Sequence, residues 1–151
     1  MSTDYGVHST LTDEALAECE ALLGVRLPAE YVELLRVRNG GTVVRERSAF
    51  LVDRPTSWAP DHVPFQDCAG IGAEFPSITH SPYLNVEWGQ PDGLVLLHGD
   101  GHYWVALDYR SGRTIEPSVV WFDNEVGDDF ELADSFGKFL RGLTAPPPIA
   151  P

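Results

Sequence analysis

Apolar positions in the first forty residues recur at helical spacing. Leu16, Cys19 and Leu23 fall on one face, with Ala15 and Leu22 beside them. Thr12 stands where an N-cap belongs, Asp13 and Glu14 fill the first turn, Leu11 and Leu16 are spaced as a hydrophobic staple, and Gly24 follows as the terminating residue. The run LPAEYVELLRVRNGG repeats the logic: Pro28 suits a first turn, Tyr31, Leu34, Leu35 and Arg38 share a face, and Asn39, Gly40 and Gly41 stop the helix. Two short amphipathic helices therefore open the chain, and their role is scaffolding.

Beyond Gly41 the period changes. TVV and SAFLV read as short β segments. The stretch that follows carries Pro55, Pro60, Pro64, Pro76 and Pro82, which excludes regular helix and central strand. So long an irregular stretch is unusual in a compact domain and makes it a candidate functional segment. Trp58 within it has two readings, an anchor of the loop to the core or an exposed contact.

From Tyr83 the pattern is strand-rich: YLNVEW, GLVLLH, HYWVALDY and SVVWFD, each bounded by Gly, Pro, Asn or Asp. If His98 and His102 face each other across Gly99, Asp100 and Gly101, then Leu97 pairs with Tyr103, Leu96 with Trp104 and Val95 with Val105. Both faces of that hairpin are largely apolar, as for central strands covered on at least one side and nearly covered on the other, and the expectation is a meander of about four strands. The run DFELADSFGKFLRGL, with Leu132, Phe136, Phe139, Leu140 and Leu143 on one face, predicts a third amphipathic helix. TAPPPIAP reads as a disordered tail.

With 151 residues and 43% hydrophobic content, the chain can bury one sizeable core. The expected organisation is an N-terminal tail (1–9), a single domain (10–144) and a Pro-rich tail (145–151). No run of 18 apolar residues exists, and MSTDYGVHST lacks the basic and apolar regions of a signal peptide, so a soluble cytoplasmic protein is expected. Two cysteines, Cys19 and Cys68, are too few for a disulfide framework.

Charge changes the picture most. The net charge is −13, and no Lys or Arg lies between Arg54 and Arg110, an interval holding seven acidic residues. Six of the ten basic residues, all Arg, sit between Arg26 and Arg54. A field so divided repels phosphate backbones and attracts basic partners, which argues against nucleic-acid binding.

The one stretch with candidate chemistry is HGDGHYWVALDYR. His98, Asp100 and His102 are zinc-competent residue types within one turn, and a catalytic zinc needs three protein ligands and an open position. Gly-Asp-Gly is equally good turn chemistry, because glycine supplies positive φ. His62, Cys68 and His80 are the residues that could complete such a site. There is no G-x-S-x-G elbow, phosphate-binding loop or H-E-x-x-H, and Lys138 is the sole lysine. A Cys68 nucleophile with His80 or His102 as base rests on residue types alone.

The runs LGVRLPAEYVELLRVRNGG, PDGLVLLHGDGHYWVALDYR and EPSVVWFDNE followed by ADSFGKFLRGL, in this order, resemble the SMI1/KNR4 family of the SUKH superfamily over about residues 10 to 143. The resemblance implies an α+β domain, an antiparallel meander with about three helices packed on one side. It also implies a non-enzymatic protein-binding module without catalytic residues, cofactor or metal. Many bacterial members are immunity proteins that bind and block a cognate toxin, often a nuclease or deaminase; fungal members are scaffolds and regulators. The expected partner is a toxin with a basic surface, and neither nucleic acid nor membrane. The candidate surface comprises Asp92, Asp100, Asp108, Glu116, Asp123, Glu125, Asp128 and Asp129, with Trp88, Trp104 or Trp58 as aromatic anchors. Two alternatives stand beside it: a cytosolic scaffold of another partner, and a metal-dependent hydrolase using His98, Asp100 and His102.

Overall fold

The computed structural model describes residues 5–113 and 115–148. Two helices come first, α1 (Asp13–Leu23) and α2 (Ala29–Val37). The Thr12 hydroxyl accepts the Ala15 N–H at 3.1 Å, and Gly24 closes α1 with a left-handed φ of 69°. Removing the cap in Thr12→Ala is expected to cost about 1 kcal/mol, read as a lower urea midpoint at unchanged slope. An unchanged midpoint would show that packing alone holds this helix. Cys19 and Leu23 of α1 and Tyr31 and Leu35 of α2 are buried, whereas Leu22 is exposed and Leu34 partly so. Pro28 serves as the N-cap of α2 rather than standing in its first turn.

Short strands follow: β1 (Gly41–Thr42), β2 (Ala49–Leu51), β3 (His62–Pro64) and β4 (Asp67–Cys68). The proline-rich stretch is thus not wholly irregular, since β3 pairs with β2, and β4 with β1. Pro64 fits because β3 is an edge strand, where a missing N–H is tolerated.

Two segments take the opposite class from that predicted. YLNVEW is not a strand: Ser81–Glu87 form α3, with Pro82 in the first turn and Asn85 buried. DFELA is not helical: Asp128–Ala133 form β8, and only Phe136–Gly142 form the last helix, α4, capped by the Ser135 hydroxyl on Lys138 N. Phe130 and Leu132 alternate with acidic residues at period two, the spacing of a half-covered strand.

The large antiparallel sheet runs in order β5 (Leu94–Gly99), β6 (Tyr103–Asp108), β7 (Ser118–Asp123), β8. The meander of four strands is present, but its fourth member is β8 rather than YLNVEW. The β5–β6 hairpin forms in a shifted register: Val95 pairs with Leu107, Leu96 with Ala106 and His98 with Val105, with a bulge at Leu97. The predicted pairs Leu97–Tyr103, Leu96–Trp104 and Val95–Val105 do not form, because β5 ends at Gly99 and the bulge absorbs an extra residue. A three-stranded sheet, β3-β2-β9, is completed by β9 (Leu143–Thr144).

Strand alternation divides the core. Val95, Leu97, Tyr103, Val105, Leu107, Val119 and Trp121 meet α1, α2 and α4 on one face. Leu94, Leu96, Trp104, Ala106 and Val120 form a smaller cluster on the other, covered by Leu84 of α3. The fold is α+β, with three helices on one side and α3 alone on the other. Residues 5–9, assigned to a tail in the sequence, lie against the domain: His8 N donates to Asn39 O at 2.9 Å, and His8 Nε2 is 2.8 Å from Pro76 O. Of the Pro-rich tail, 145–148 carry no regular element and 149–151 lie outside the described residues.

Candidate functional site at the hairpin tip

The turn between β5 and β6 is built by its glycines. Gly101 has φ 101°, and a Cβ there would stand 2.0 Å from the Trp88 ring, so only glycine lets the indole lie on the turn. Asp100 accepts the His102 N–H at 3.0 Å, the local bond that closes the turn. A chain of amides fixes the tip to its neighbours: Asn85 Nδ2 donates to Leu94 O, Gln90 Nε2 to Asn85 Oδ1, and Asn124 Nδ2 to both Gln90 Oε1 and Gly101 O. Each link is 2.7 to 2.9 Å long, so hydrogen bonds tie the loop after α3, the hairpin and the β7–β8 turn together.

His98 and His102 do not converge. The His98 ring lies 6.0 Å from both Phe65 and Tyr103, with Nδ1 4.0 Å from Asp67 Oδ2. His102 is exposed, with Nδ1 3.1 Å from Glu125 Oε2 and its ring 5.7 Å from Trp88. Among the described residues no group of three His, Cys, Asp or Glu is placed to hold a metal ion. The hydrolase alternative on His98, Asp100 and His102 therefore loses its geometry, because the bulge turns the two imidazoles into different surroundings. Cys68 is buried with its thiol pushed up to about 12 by burial and by Asp67, the reverse of an activated nucleophile. The remaining histidines of that reading are engaged elsewhere, His62 with Asp61 and His80 with Ala73 O.

The nine predicted surface residues separate into four groups. Trp88, Asp100, Glu125 and Asp128 surround the tip, and all four are exposed. Trp58 joins them from the proline-rich stretch, 43% exposed and edge-on to Tyr103 at 5.6 Å. It combines the two readings given to it, since its ring is both anchored and accessible. The tip is thus flanked by Trp58 on the Tyr103 side and Trp88 on the His102 side.

A second group, Asp108 and Asp129, is spanned by Arg110, which bonds both carboxylates at 2.9 Å and so links β6 to β8 across β7. Burial alone would raise the Asp108 carboxyl, but the Arg110 hydrogen bonds and charge hold it below its usual range. A third group, Asp92 and Glu116, lies away from the tip; Asp92 is paired with Arg113 at 2.7 Å.

The fourth is Asp123 alone, and it is a correction: at 1% exposure it presents nothing to a partner. Its Oδ2 accepts Trp121 Nε1 at 3.0 Å and Ser57 N at 3.1 Å, and its Oδ1 accepts the N–H groups of Glu125 and Val126. Asp123 thereby carries the Trp58 loop and the Glu125 turn on one carboxylate. Trp104 is likewise no surface anchor, being 4% exposed in the core. The amides of Asn85, Gln90 and Asn124 were not singled out in the sequence; the only signal for Asn124 was its position in a turn after a strand.

Two half-exposed indoles, Trp58 and Trp88, thus flank a turn rimmed by carboxylates. A model of the SMI1 / KNR4 family (SUKH-1) matches residues 10–142, and the chain belongs to that family. Membership is consistent with a non-enzymatic, immunity-type module. No curated protein matches the chain. Among the described residues no helix is long and apolar enough to cross a membrane.

Proposed function

We propose that this protein is a cytoplasmic immunity protein that binds a protein toxin with a basic surface, such as a nuclease or deaminase, and neutralises it without chemistry of its own. The observation that carries the reading is the pairing of exposed indoles, Trp58 and Trp88, with the carboxylates Asp100, Glu125 and Asp128 around one turn. Aromatic side chains supply large contact area at small entropic cost, and the carboxylates supply steering and register. The chain charge of −13 favours a cationic protein and disfavours nucleic acid as the direct partner. Family membership supports the same class of partner.

Co-expression of a toxin encoded beside the gene, with and without this protein, tests the reading directly. Survival only in its presence, with a stable complex, is the expected result; survival unchanged for every such toxin would sink it. Reversing the tip charges in Asp100→Lys, Glu125→Lys and Asp128→Lys together is expected to weaken the complex by roughly 10- to 100-fold and flatten its salt dependence. The control, Asp92→Lys with Glu116→Lys, is expected to change affinity less than about threefold. Equal effects from both sets, measured by titration calorimetry at two salt concentrations, would move the surface away from the tip.

A further inference from the structure

A cavity of about 360 Å³ is walled by residues of α2, β1, α4 and β9, and its size falls within the ~300–1,000 Å³ span of small-molecule sites. Leu35, Phe65, Cys68 and Leu143, none more than 8% exposed, reach it from the main core. Leu34 and Leu140 extend the apolar wall, and Leu34, spaced for burial along α2, is left 37% exposed beside it. Gly40 and Gly41, with φ of 93° and 124°, line it with backbone alone, at angles that side-chain-bearing residues rarely adopt. Apolar surface left to water in such a hollow is recovered when an aliphatic group enters it.

The charged part of the lining is cationic. Arg38 and Arg47 both line the cavity and both are exposed, whereas among the described residues no Asp or Glu lines it. In a chain with 23 acidic and 10 basic residues, this is a local reversal of sign. Four other cavities show the contrast, for each has a carboxylate in its wall: Asp67, Asp53, Glu20 and Glu74 in turn. The fold places both guanidinium groups. A Cβ on Gly41 would stand 3.2 Å from Cζ and Nη2 of Arg38, so the glycine lets that guanidinium lie close against the backbone. Arg47 Nη2 donates to Leu140 O at 2.6 Å, which ties the second group to the end of α4 and uses one of its five N–H donors. A guanidinium matches a carboxylate in both geometry and charge.

We propose that this cavity binds a free aliphatic carboxylate, with its hydrocarbon tail on Leu35, Phe65 and Leu143 and its head met by Arg38 and Arg47. The apolar wall sets the tail, because polar groups buried against it would lose their water without compensation. The two cations set the head, because they attract an anion and repel an ammonium group. The site is independent of the toxin reading, since none of Trp58, Trp88, Asp100, Glu125 and Asp128 lines this cavity.

The test titrates the full chain, its Leu and Val methyl groups labelled with carbon-13, with octanoate and hexanoate below their micelle concentrations. The methyl signals of Leu35, Val43, Leu140 and Leu143 are expected to shift saturably, while those of Val86 and Val126, which do not line the cavity, stay in place. Octanoate is expected to bind about 15-fold tighter than hexanoate, from two more buried CH₂ groups at about fourfold each. Octylamine, matched in length and cationic at neutral pH, is expected to bind roughly tenfold more weakly than octanoate. Replacing both exposed cations, in Arg38→Gln with Arg47→Gln, is expected to abolish that preference. The wild-type comparison of acid and amine stands by itself should the double variant fail to fold. No saturable shift with octanoate, equal affinity for acid and amine, or a preference that survives the double substitution each overturns the proposal. Shifts of the same methyl groups on concentrating the protein alone would assign the cavity to a second copy, and shifts produced only by an added toxin would assign it to that protein; either result also overturns the proposal.

Discussion

Asp123→Ala is expected to lower the unfolding free energy by about 3–5 kcal/mol, the range for breaking a buried, fully hydrogen-bonded charge site. Four N–H groups converge on this carboxylate, and one of them, Trp121 Nε1, belongs to a side chain with 0% exposure. Alanine leaves that indole N–H unpaired in the core and frees the Ser57 and Glu125 backbones to seek water. Asp123→Asn keeps the shape and one good acceptor, so roughly half the loss is expected. Burial by itself would raise the carboxyl, yet the bonds from Ser57, Trp121 and Val126 hold it below the ordinary value. Its stabilisation is therefore full above the unfolded-state value and is lost as pH falls through the depressed folded-state value. Urea titration at neutral pH is the measurement, and a midpoint shift worth less than about 1 kcal/mol would show that the turn is held by other contacts. Because Asp123 also seats Trp58 and Glu125, weakened partner binding should accompany the loss even under conditions where the variant remains folded.

The second large effect belongs to His98 and lies in a different pH window. Its folded-state value of about 4 stands below the ordinary 6.5, with burial as the leading cause. As pH falls from 6.5 toward 4, the unfolded chain takes up a proton that the folded chain refuses, so stability declines across that interval. The total is about 3 kcal/mol, complete near pH 4. His98→Phe removes the difference: its stability should be nearly flat between those limits, while the acid limb from Asp123 persists below them. Parallel pH profiles for the two proteins would mean that His98 titrates in the folded state as it does in water.

Much of the architecture could be read from residue pattern, and the failures have physical causes. The capped α1, the stop at Asn39-Gly40-Gly41 and the strands β5, β6 and β7 follow from local signals that tertiary packing reinforces. The class of Ser81–Glu87 did not, because Tyr83 and Val86 are exposed and the helix is anchored by polar Asn85, so apolar spacing misleads. The Ser81-Pro82 start was the better signal, as was Ser135 for α4. Hairpin register escaped because a bulge is set by how both strands pack, not by the turn residues alone. For the site, residue type predicted the carboxylates but not their surroundings. Asp123 and Asp128 are cross-strand neighbours of identical chemistry, yet one is buried under four donors and the other is exposed beside Arg54. Only the third dimension separates them.

β8 borders the large sheet on one neighbour alone, so its outer row of backbone groups is a template for any strand that can lie beside it. Asp128, Asp129 and Glu131 stand on that strand. Two copies brought edge to edge would set like charges against each other, a repulsion that disfavours that pairing. A cationic strand meets no such barrier. The same carboxylates thus make that edge a poor match for a second copy of itself.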